Sequence, residues 1–164
     1  MNETIAQLES NYMPIDILLV EDEEDDIEIT LRAFKNAKLK NQIYVVQDGQ
    51  EAINFIYHKE PYQDEKKFPR PDLILLDIDI PKLSGFEVLK KLKGDPNYSF
   101  IPVVMLTSSK EEQDIIKSFQ NGASSYIQKP VSYAEFTKII DGFNFYWHIV
   151  NKFPDGKRKA VRRN

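Results

Sequence analysis

A chain of 164 residues with a formal net charge of -4 is long enough for one folded domain with a substantial core. It contains no Cys, which excludes disulfides and thiolate metal sites, and its negative charge argues against a broad nucleic-acid-binding surface. No apolar run approaches the roughly 20 residues that span a bilayer, and residues 1–13 are polar and acidic rather than a signal peptide. We therefore expect a cytoplasmic protein that binds neither membranes nor nucleic acid.

Short aliphatic segments alternate with helical patterns along the chain, which predicts an α/β domain. The predicted strands are residues 15–20, 43–46, 73–76, 101–106 and 125–128. The third has no polar alternation, which is typical of a strand buried on both faces of a parallel sheet. The sequence therefore predicts one doubly wound, five-stranded parallel sheet of the flavodoxin-like type, with strand order 2-1-3-4-5.

The segments outside the strands predict the rest of the organisation. Ser84 with Glu87, and Ser132 with Glu135, have the spacing of capping boxes, and the second pair opens a long C-terminal helix. We expect an N-terminal extension over residues 1–14, the folded domain over 15–150 and a basic tail over 151–164. The charged stretch 57–71 contains three prolines and predicts a surface loop.

Polar residues at the ends of the predicted strands are the candidate site. The carboxyl ends of parallel strands share one edge, where such sheets bind ligands. That edge should collect Glu21, Asp22, Asp77, Thr107 and Lys129. Carboxylates about 4 Å apart repel by about 4 kcal/mol, which favours a cation, and hard oxygen ligands suit Mg²⁺. Because Asp can accept phosphoryl groups, the site predicts an Asp that is phosphorylated.

The next residues of the acidic run have an ordinary explanation. Residues 23–26 fall in the first turn of a predicted helix, where carboxylates complement the helix dipole. We expect these side chains to face water.

Four motifs in order resemble a response-regulator receiver domain. They are the acidic pair 21–22, Leu-Asp-Ile-Asp-Ile-Pro-Lys-Leu-Ser-Gly at 76–85, Thr-Ser-Ser at 107–109 and Gln-Lys-Pro at 128–130. The resemblance covers residues 15–150. Within the family, the loop before the third strand and the final helix with Trp147 resemble stand-alone receivers that work with bacterial phytochromes.

The resemblance implies a role for each residue of the set. Asp77 is the phosphoacceptor, and the Mg²⁺ ligands are Asp22, Asp77 and the backbone carbonyl of Asp79, with Glu21 acting through water. Asp79 is acidic where many members of the family are neutral, so its side chain is expected to influence the lifetime of the phosphorylated state.

The resemblance also implies roles for residues that contact the phosphoryl group or respond to it. Thr107 is the switch hydroxyl, Lys129 contacts the phosphoryl group, and Tyr126 is the aromatic side chain that follows the hydroxyl. The bond between Lys129 and Pro130 is expected to be cis.

The implied function is a single-domain response regulator of a two-component phosphorelay. A sensor histidine kinase, of the phytochrome type within the narrower resemblance, would supply the phosphoryl group. Residues 151–164 leave no room for an output domain, so signalling would proceed by protein contact. The chain would catalyse only the phosphorylation and dephosphorylation of its own Asp.

Three alternatives stay open on the sequence alone. A phosphatase-type enzyme would use Asp77 as nucleophile and Asp79 as general acid, although such enzymes usually follow the second Asp with Gly-Thr. A nucleotide- or flavin-binding module would need a phosphate cradle after the first strand, where residues 21–26 would repel phosphate. A receiver that has lost phosphorylation and only binds partners is the third.

The final helix carries more apolar residues than one buried face can hold. One face includes Phe143 and Trp147, whereas Phe145, Tyr146 and Ile149 point elsewhere at about 100° per residue. A competing explanation is that the 57–71 loop or the N-terminal segment covers them. We expect a homodimer through these three residues.

Overall fold

The computed structural model describes residues 15–36, 42–108, 111–132, 134–135 and 137–138. The strands and helices within these ranges alternate as predicted. In chain order they are β1 (Asp16–Val20), α1 (Glu24–Asn36), β2 (Gln42–Val46), α2 (Gly49–Ile56), β3 (Leu73–Asp77), α3 (Gly85–Lys93), β4 (Val103–Thr107), α4 (Glu112–Gln120) and β5 (Ser125–Gln128). None of the helices described is long and apolar enough to cross a membrane.

The strands form one parallel sheet in the order β2-β1-β3-β4-β5, which confirms the predicted topology. Val20 of β1 is paired with Leu76 of β3, and Asp77 is paired with Leu106 of β4. This register brings the carboxyl ends of β1, β3 and β4 to one edge. The strand boundaries differ from the predicted ones by at most two residues. The largest shift is in β4, which begins after Pro102 and includes Thr107 as its last residue.

Helices cover both faces of the sheet. On one face, Phe55 of α2 and Leu89 of α3 pack against the strands, and on the other Phe34 of α1 does so. Every residue of β3 is buried, as its unbroken aliphatic sequence predicts, whereas β2 at the sheet edge is partly exposed.

Capping interactions fix where the helices begin. The predicted capping box of α3 is present, with Ser84 and Glu87 each accepting a backbone N–H of the other. The backbone N–H of Glu135 donates to Ser132 Oγ at 3.2 Å, as expected for the start of the predicted final helix. The interface predicted from Phe145, Tyr146 and Ile149 lies outside the described residues.

The 57–71 loop packs on α2 through aromatic side chains. Tyr62 and Phe68 lie with their ring centroids 5.0 Å and 5.9 Å from that of Phe55. The Tyr62 hydroxyl also donates to Glu51. The charge of the 57–71 segment predicts a surface loop, and most of its residues are exposed. Its apolar residues nevertheless pack against the core beneath it.

Candidate functional site

Three carboxylates from two neighbouring strands meet at the carboxyl edge of the sheet. Glu21 and Asp22 directly follow β1, and Asp77 is the last residue of β3. One carboxylate oxygen from each lies within 4.8 Å of the others, and Glu21 and Asp77 are buried. The parallel pairing of β1 with β3 produces this arrangement, so the sequence places these residues correctly.

Lys129 is the cation of the site. It follows β5, and its backbone N–H donates to the carbonyl of Thr107 at 2.7 Å, which fixes it beside the end of β4. Its Nζ donates to Glu21 Oε2 at 3.0 Å and to Asp77 Oδ2 at 3.2 Å. The bond between Lys129 and Pro130 is cis, as predicted.

The prediction that the side chains of residues 23–26 all face water is wrong for Asp26. Its Oδ2 accepts a hydrogen bond from Lys129 Nζ at 2.9 Å, so it belongs to the site. The signal available in the sequence is the helical spacing, because Asp26 lies one turn before Thr30, which is buried on the inner face of α1. Glu23, Glu24 and Asp25 are exposed, as expected.

Burial and mutual repulsion shape the charges of the cluster. Burial, and next the nearby carboxylate of Glu21, raise the pKa of Asp77 from 3.8 to about 7, although Lys129 opposes the shift. For Lys129, burial alone lowers the pKa, but hydrogen bonds to Asp26 and Glu21 outweigh it and raise the pKa above its usual range. The ammonium therefore stays charged, and without a metal ion the Asp77 carboxyl holds its proton to a higher pH than an exposed Asp.

The oxygen atoms of the cluster suit a hard divalent cation. Asp22 Oδ1 is buried and has no hydrogen-bond partner in the described part of the chain. An unsatisfied buried acceptor costs about 1–3 kcal/mol, and a cation at this position would remove that cost. The donor set consists of carboxylate oxygens, which Mg²⁺ and Mn²⁺ both accept. The residues present therefore fit a divalent metal ion.

The loop after β3 is held in place by two close backbone contacts. A Cβ on Gly85 would lie 2.3 Å from the Asp77 carbonyl oxygen, so only glycine lets α3 begin directly against the end of β3. The Gly49 N–H donates to the Pro81 carbonyl at 3.1 Å. Asp79 lies between these contacts and its side chain is exposed.

The predicted switch residues occupy different environments. Thr107 is buried at the end of β4, the strand that pairs with β3. Tyr126 is 37% exposed on β5 and contacts Phe119 of α4 edge-on, with centroids 5.9 Å apart. The structure therefore brings Thr107 to the strand-end edge and leaves the Tyr126 ring at the surface beside α4.

Comparison with known protein families identifies this architecture. The chain matches the response regulator receiver domain over residues 17–141, which is most of its length. It belongs to the response-regulator receiver family, whose members function in two-component signalling. This assignment favours a receiver over the phosphatase-type and flavodoxin-type alternatives.

The relatives of this chain are response regulators, among them a bacteriophytochrome and a cyanobacterial phytochrome response regulator. Response regulator Rcp1 of Synechocystis sp. is 35% identical over 131 residues, covering 80% of this chain and 87% of the relative. The bacteriophytochrome response regulator RtBRR is 40% identical with a TM-score of 0.74, covering 92% of this chain and 90% of that one. The phosphorylated cyanobacterial phytochrome response regulator RcpA is 36% identical with a TM-score of 0.69, covering 82% and 94%.

Proposed function

We propose that Asp77 accepts a phosphoryl group from a sensor histidine kinase in a reaction that requires Mg²⁺. The observation that carries this proposal is the contact of Asp77 with Lys129 Nζ at 3.2 Å, within a cluster of three carboxylates. A nucleophilic carboxylate, a fixed cation and a metal-binding oxygen set are the parts that phosphoryl transfer needs. The RcpA relative was solved in its phosphorylated form, which supports the same chemistry here.

The residues expected to hold the metal are Asp22, Asp77 and the backbone carbonyl of Asp79, with Glu21 acting through a water molecule. The unpartnered Asp22 Oδ1 supports this assignment, as does a structure of Rcp1 in its Mn²⁺-bound form, which is 34% identical to this chain with a TM-score of 0.67. When bound, the metal ion would neutralise negative charge on the incoming phosphoryl group.

The side chains around Asp77 have separate roles in the proposed phosphoryl transfer. Lys129 holds its ammonium against the Asp77 carboxylate and can turn one hydrogen towards a phosphoryl oxygen. The Thr107 hydroxyl is expected to donate to a second phosphoryl oxygen. Burial of Asp77 excludes water from the carboxylate that reacts, since that residue is only 3% exposed. These contacts stabilise negative charge where it is transferred.

The partner and the range of activity are inferred from the relatives. RtBRR and RcpA are named as bacteriophytochrome and phytochrome response regulators, which supports a phytochrome-type histidine kinase as donor. We expect the chain to act catalytically only on its own Asp77, in the cytoplasm, with the folded domain over 15–150 and the flanking segments described above. Tyr126 would report phosphorylation to a protein partner by moving with Thr107.

The test is phosphorylation by a small phosphodonor in the presence of Mg²⁺, followed by intact mass. We expect the wild-type protein to gain one phosphoryl group, and both Asp77→Asn and excess chelator to abolish the gain. The control Asp25→Asn removes an exposed carboxylate of α1 and should be labelled like wild type. Undiminished labelling of Asp77→Asn would refute the assignment, and failure of all proteins to be labelled would favour a receiver that only binds partners.

A further inference from the structure

The Lys129 ammonium has as many carboxylate partners as it has hydrogens. Its Nζ lies 3.0 Å from Glu21 Oε2, 2.9 Å from Asp26 Oδ2 and 3.2 Å from Asp77 Oδ2. An ammonium group has three N–H donors, so each donor has one charged acceptor. The shortest of these contacts is the one to Asp26, which lies on α1 rather than at a strand end.

Asp26 differs from the other two acceptors in its exposure. The side chains of Glu21 and Asp77 are 1% and 4% exposed, whereas that of Asp26 is 29% exposed. Asp26 is therefore the solvent-facing acceptor, and its carboxylate loses less hydration on pairing with Lys129.

The turn of α1 that carries Asp26 is itself fixed. Thr30 is buried, and its hydroxyl donates to the Asp26 backbone carbonyl at 2.7 Å. The Asp26 carboxylate is thus presented to Lys129 from a rigid helix rather than from a loop. A rigid partner matters here because a lysine side chain has several rotatable bonds, and its ammonium is a point charge without directional shape.

We propose that Asp26 is a positioning residue that holds the Lys129 ammonium over Asp77 during phosphoryl transfer. The inference rests on the proposed role of Asp77 as phosphoacceptor. A phosphoryl group on Asp77 brings a new acceptor to Lys129, and one of the three hydrogens must turn to it. Glu21 and Asp26 then retain the other two, so the ammonium stays where the negative charge develops. Without Asp26, the buried carboxylate of Glu21 would be left alone to orient the Lys129 ammonium.

The chain provides a matched control one residue away. Asp25 is in the same first turn of α1, it is exposed, and it is not among the three partners of Lys129. Asp26→Ala and Asp25→Ala therefore change the net charge and the helix dipole interaction equally. Asp26→Glu keeps a carboxylate that can reach Lys129 and serves as the conservative variant.

The first measurement is the rate of phosphorylation by a small phosphodonor at saturating Mg²⁺, with the Mg²⁺ dissociation constant measured separately by calorimetry. We expect Asp26→Ala to react roughly three- to tenfold more slowly than Asp25→Ala. The loss is at the weak end for a hydrogen bond because Asp26 is partly exposed and acts on the reacting group only through Lys129. The Mg²⁺ dissociation constant should differ by less than about twofold, and Asp26→Glu should recover most of the rate. Equal or faster reaction of Asp26→Ala overturns the proposal.

The second measurement does not depend on phosphorylation. In the unphosphorylated protein, the Lys129 ammonium should give a resolved ¹⁵N–¹H signal, because its hydrogen bonds slow exchange with water; Lys129→Gln assigns it. We expect the signal to broaden or disappear in Asp26→Ala and to persist in Asp25→Ala. An unchanged signal contradicts the positioning role even if Asp77 is phosphorylated normally. Absence of Asp77 labelling in wild type would instead refute the proposed function.

Discussion

Lys129 Nζ lies 3.2 Å from Asp77 Oδ2, although Asp77 ends β3 and Lys129 follows β5, 52 positions later in the chain. The contact spans β4, which separates β3 from β5 in the sheet. The hydrogen bond from the Lys129 backbone N–H to the Thr107 carbonyl holds Lys129 beside the end of β4 and so places its ammonium at this distance. The relative placement of Asp77 and Lys129 is therefore a property of the sheet.

The first prediction concerns loss of that cation. Lys129→Met leaves Glu21 and Asp77 buried without their charged partner, which typically costs about 3–5 kcal/mol. We expect a lower free energy of unfolding in urea at pH 8 and a smaller loss at pH 5, because Asp77, whose pKa is raised, then holds its proton. Labelling should be slowed by at least about tenfold. Lys90→Met, at an exposed position of α3, is the control. A loss of stability that is no larger than in the control would contradict the electrostatic account.

The second prediction is the pH dependence of stability without metal. Because the pKa of Asp77 is raised from 3.8 to about 7, the folded protein binds more protons than the unfolded chain between these values. The free energy of unfolding should therefore fall as pH rises through this window, and Asp77→Asn should lack that contribution.

Asp77→Asn should be more stable than wild type at pH 8, by an amount on the order of a few kcal/mol, because it lacks a buried carboxylate that must ionise. The difference should largely vanish near pH 4. Urea unfolding in the presence of a chelator measures it. A difference that is constant with pH, or wild type being the more stable protein at pH 8, would exclude a raised pKa.

The third prediction concerns the metal. A cation that binds only the folded protein raises its stability by an amount that grows with concentration, about 2.7 kcal/mol at one hundred times the dissociation constant. We expect Mg²⁺ to raise the Tm of wild type and of Asp25→Asn, and to leave Asp22→Asn almost unaffected, because Asp22 Oδ1 is the unpartnered oxygen. A full response of Asp22→Asn to Mg²⁺ would move the metal site elsewhere.

The fourth prediction is the homodimer through Phe145, Tyr146 and Ile149. Sedimentation of wild type and of the Phe145→Asp, Ile149→Asp double variant should give a dimer and a monomer at micromolar concentration. Phosphorylation should tighten the wild-type dimer, if the final helix responds to Thr107 and Tyr126. A wild type that is monomeric with and without phosphorylation would exclude the dimer, and a variant that stays dimeric would place the interface elsewhere.

The sheet and most of the strand-end residues could be predicted because the responsible signals are local. An unbroken aliphatic run such as that of β3 indicates a buried parallel strand, and the polar residue after it must lie at the carboxyl edge. Asp77 and Lys129 were identified in this way, and the resemblance to receivers added their roles.

Helical spacing alone does not single out Asp26, because Glu24 and Asp25 in the same first turn of α1 share its chemistry and its dipole interaction. Which of them turns inward depends on the rotation of α1 about its axis, and packing of Thr30 and Phe34 against the sheet fixes that rotation. The docking of Tyr62 and Phe68 on Phe55 is likewise a tertiary contact, and the loop that carries Tyr62 and Phe68 has no periodic pattern.

The most direct test of the account is to locate the phosphoryl group within the chain. Borohydride reduces an acyl phosphate to an alcohol and thereby converts a phosphorylated Asp into homoserine, which peptide mass mapping can locate. After labelling in Mg²⁺, we predict homoserine at position 77 alone, and none in protein treated with chelator. Homoserine at position 22 or 26, or unmodified Asp77 in protein that carries the phosphoryl group, would contradict the central claim.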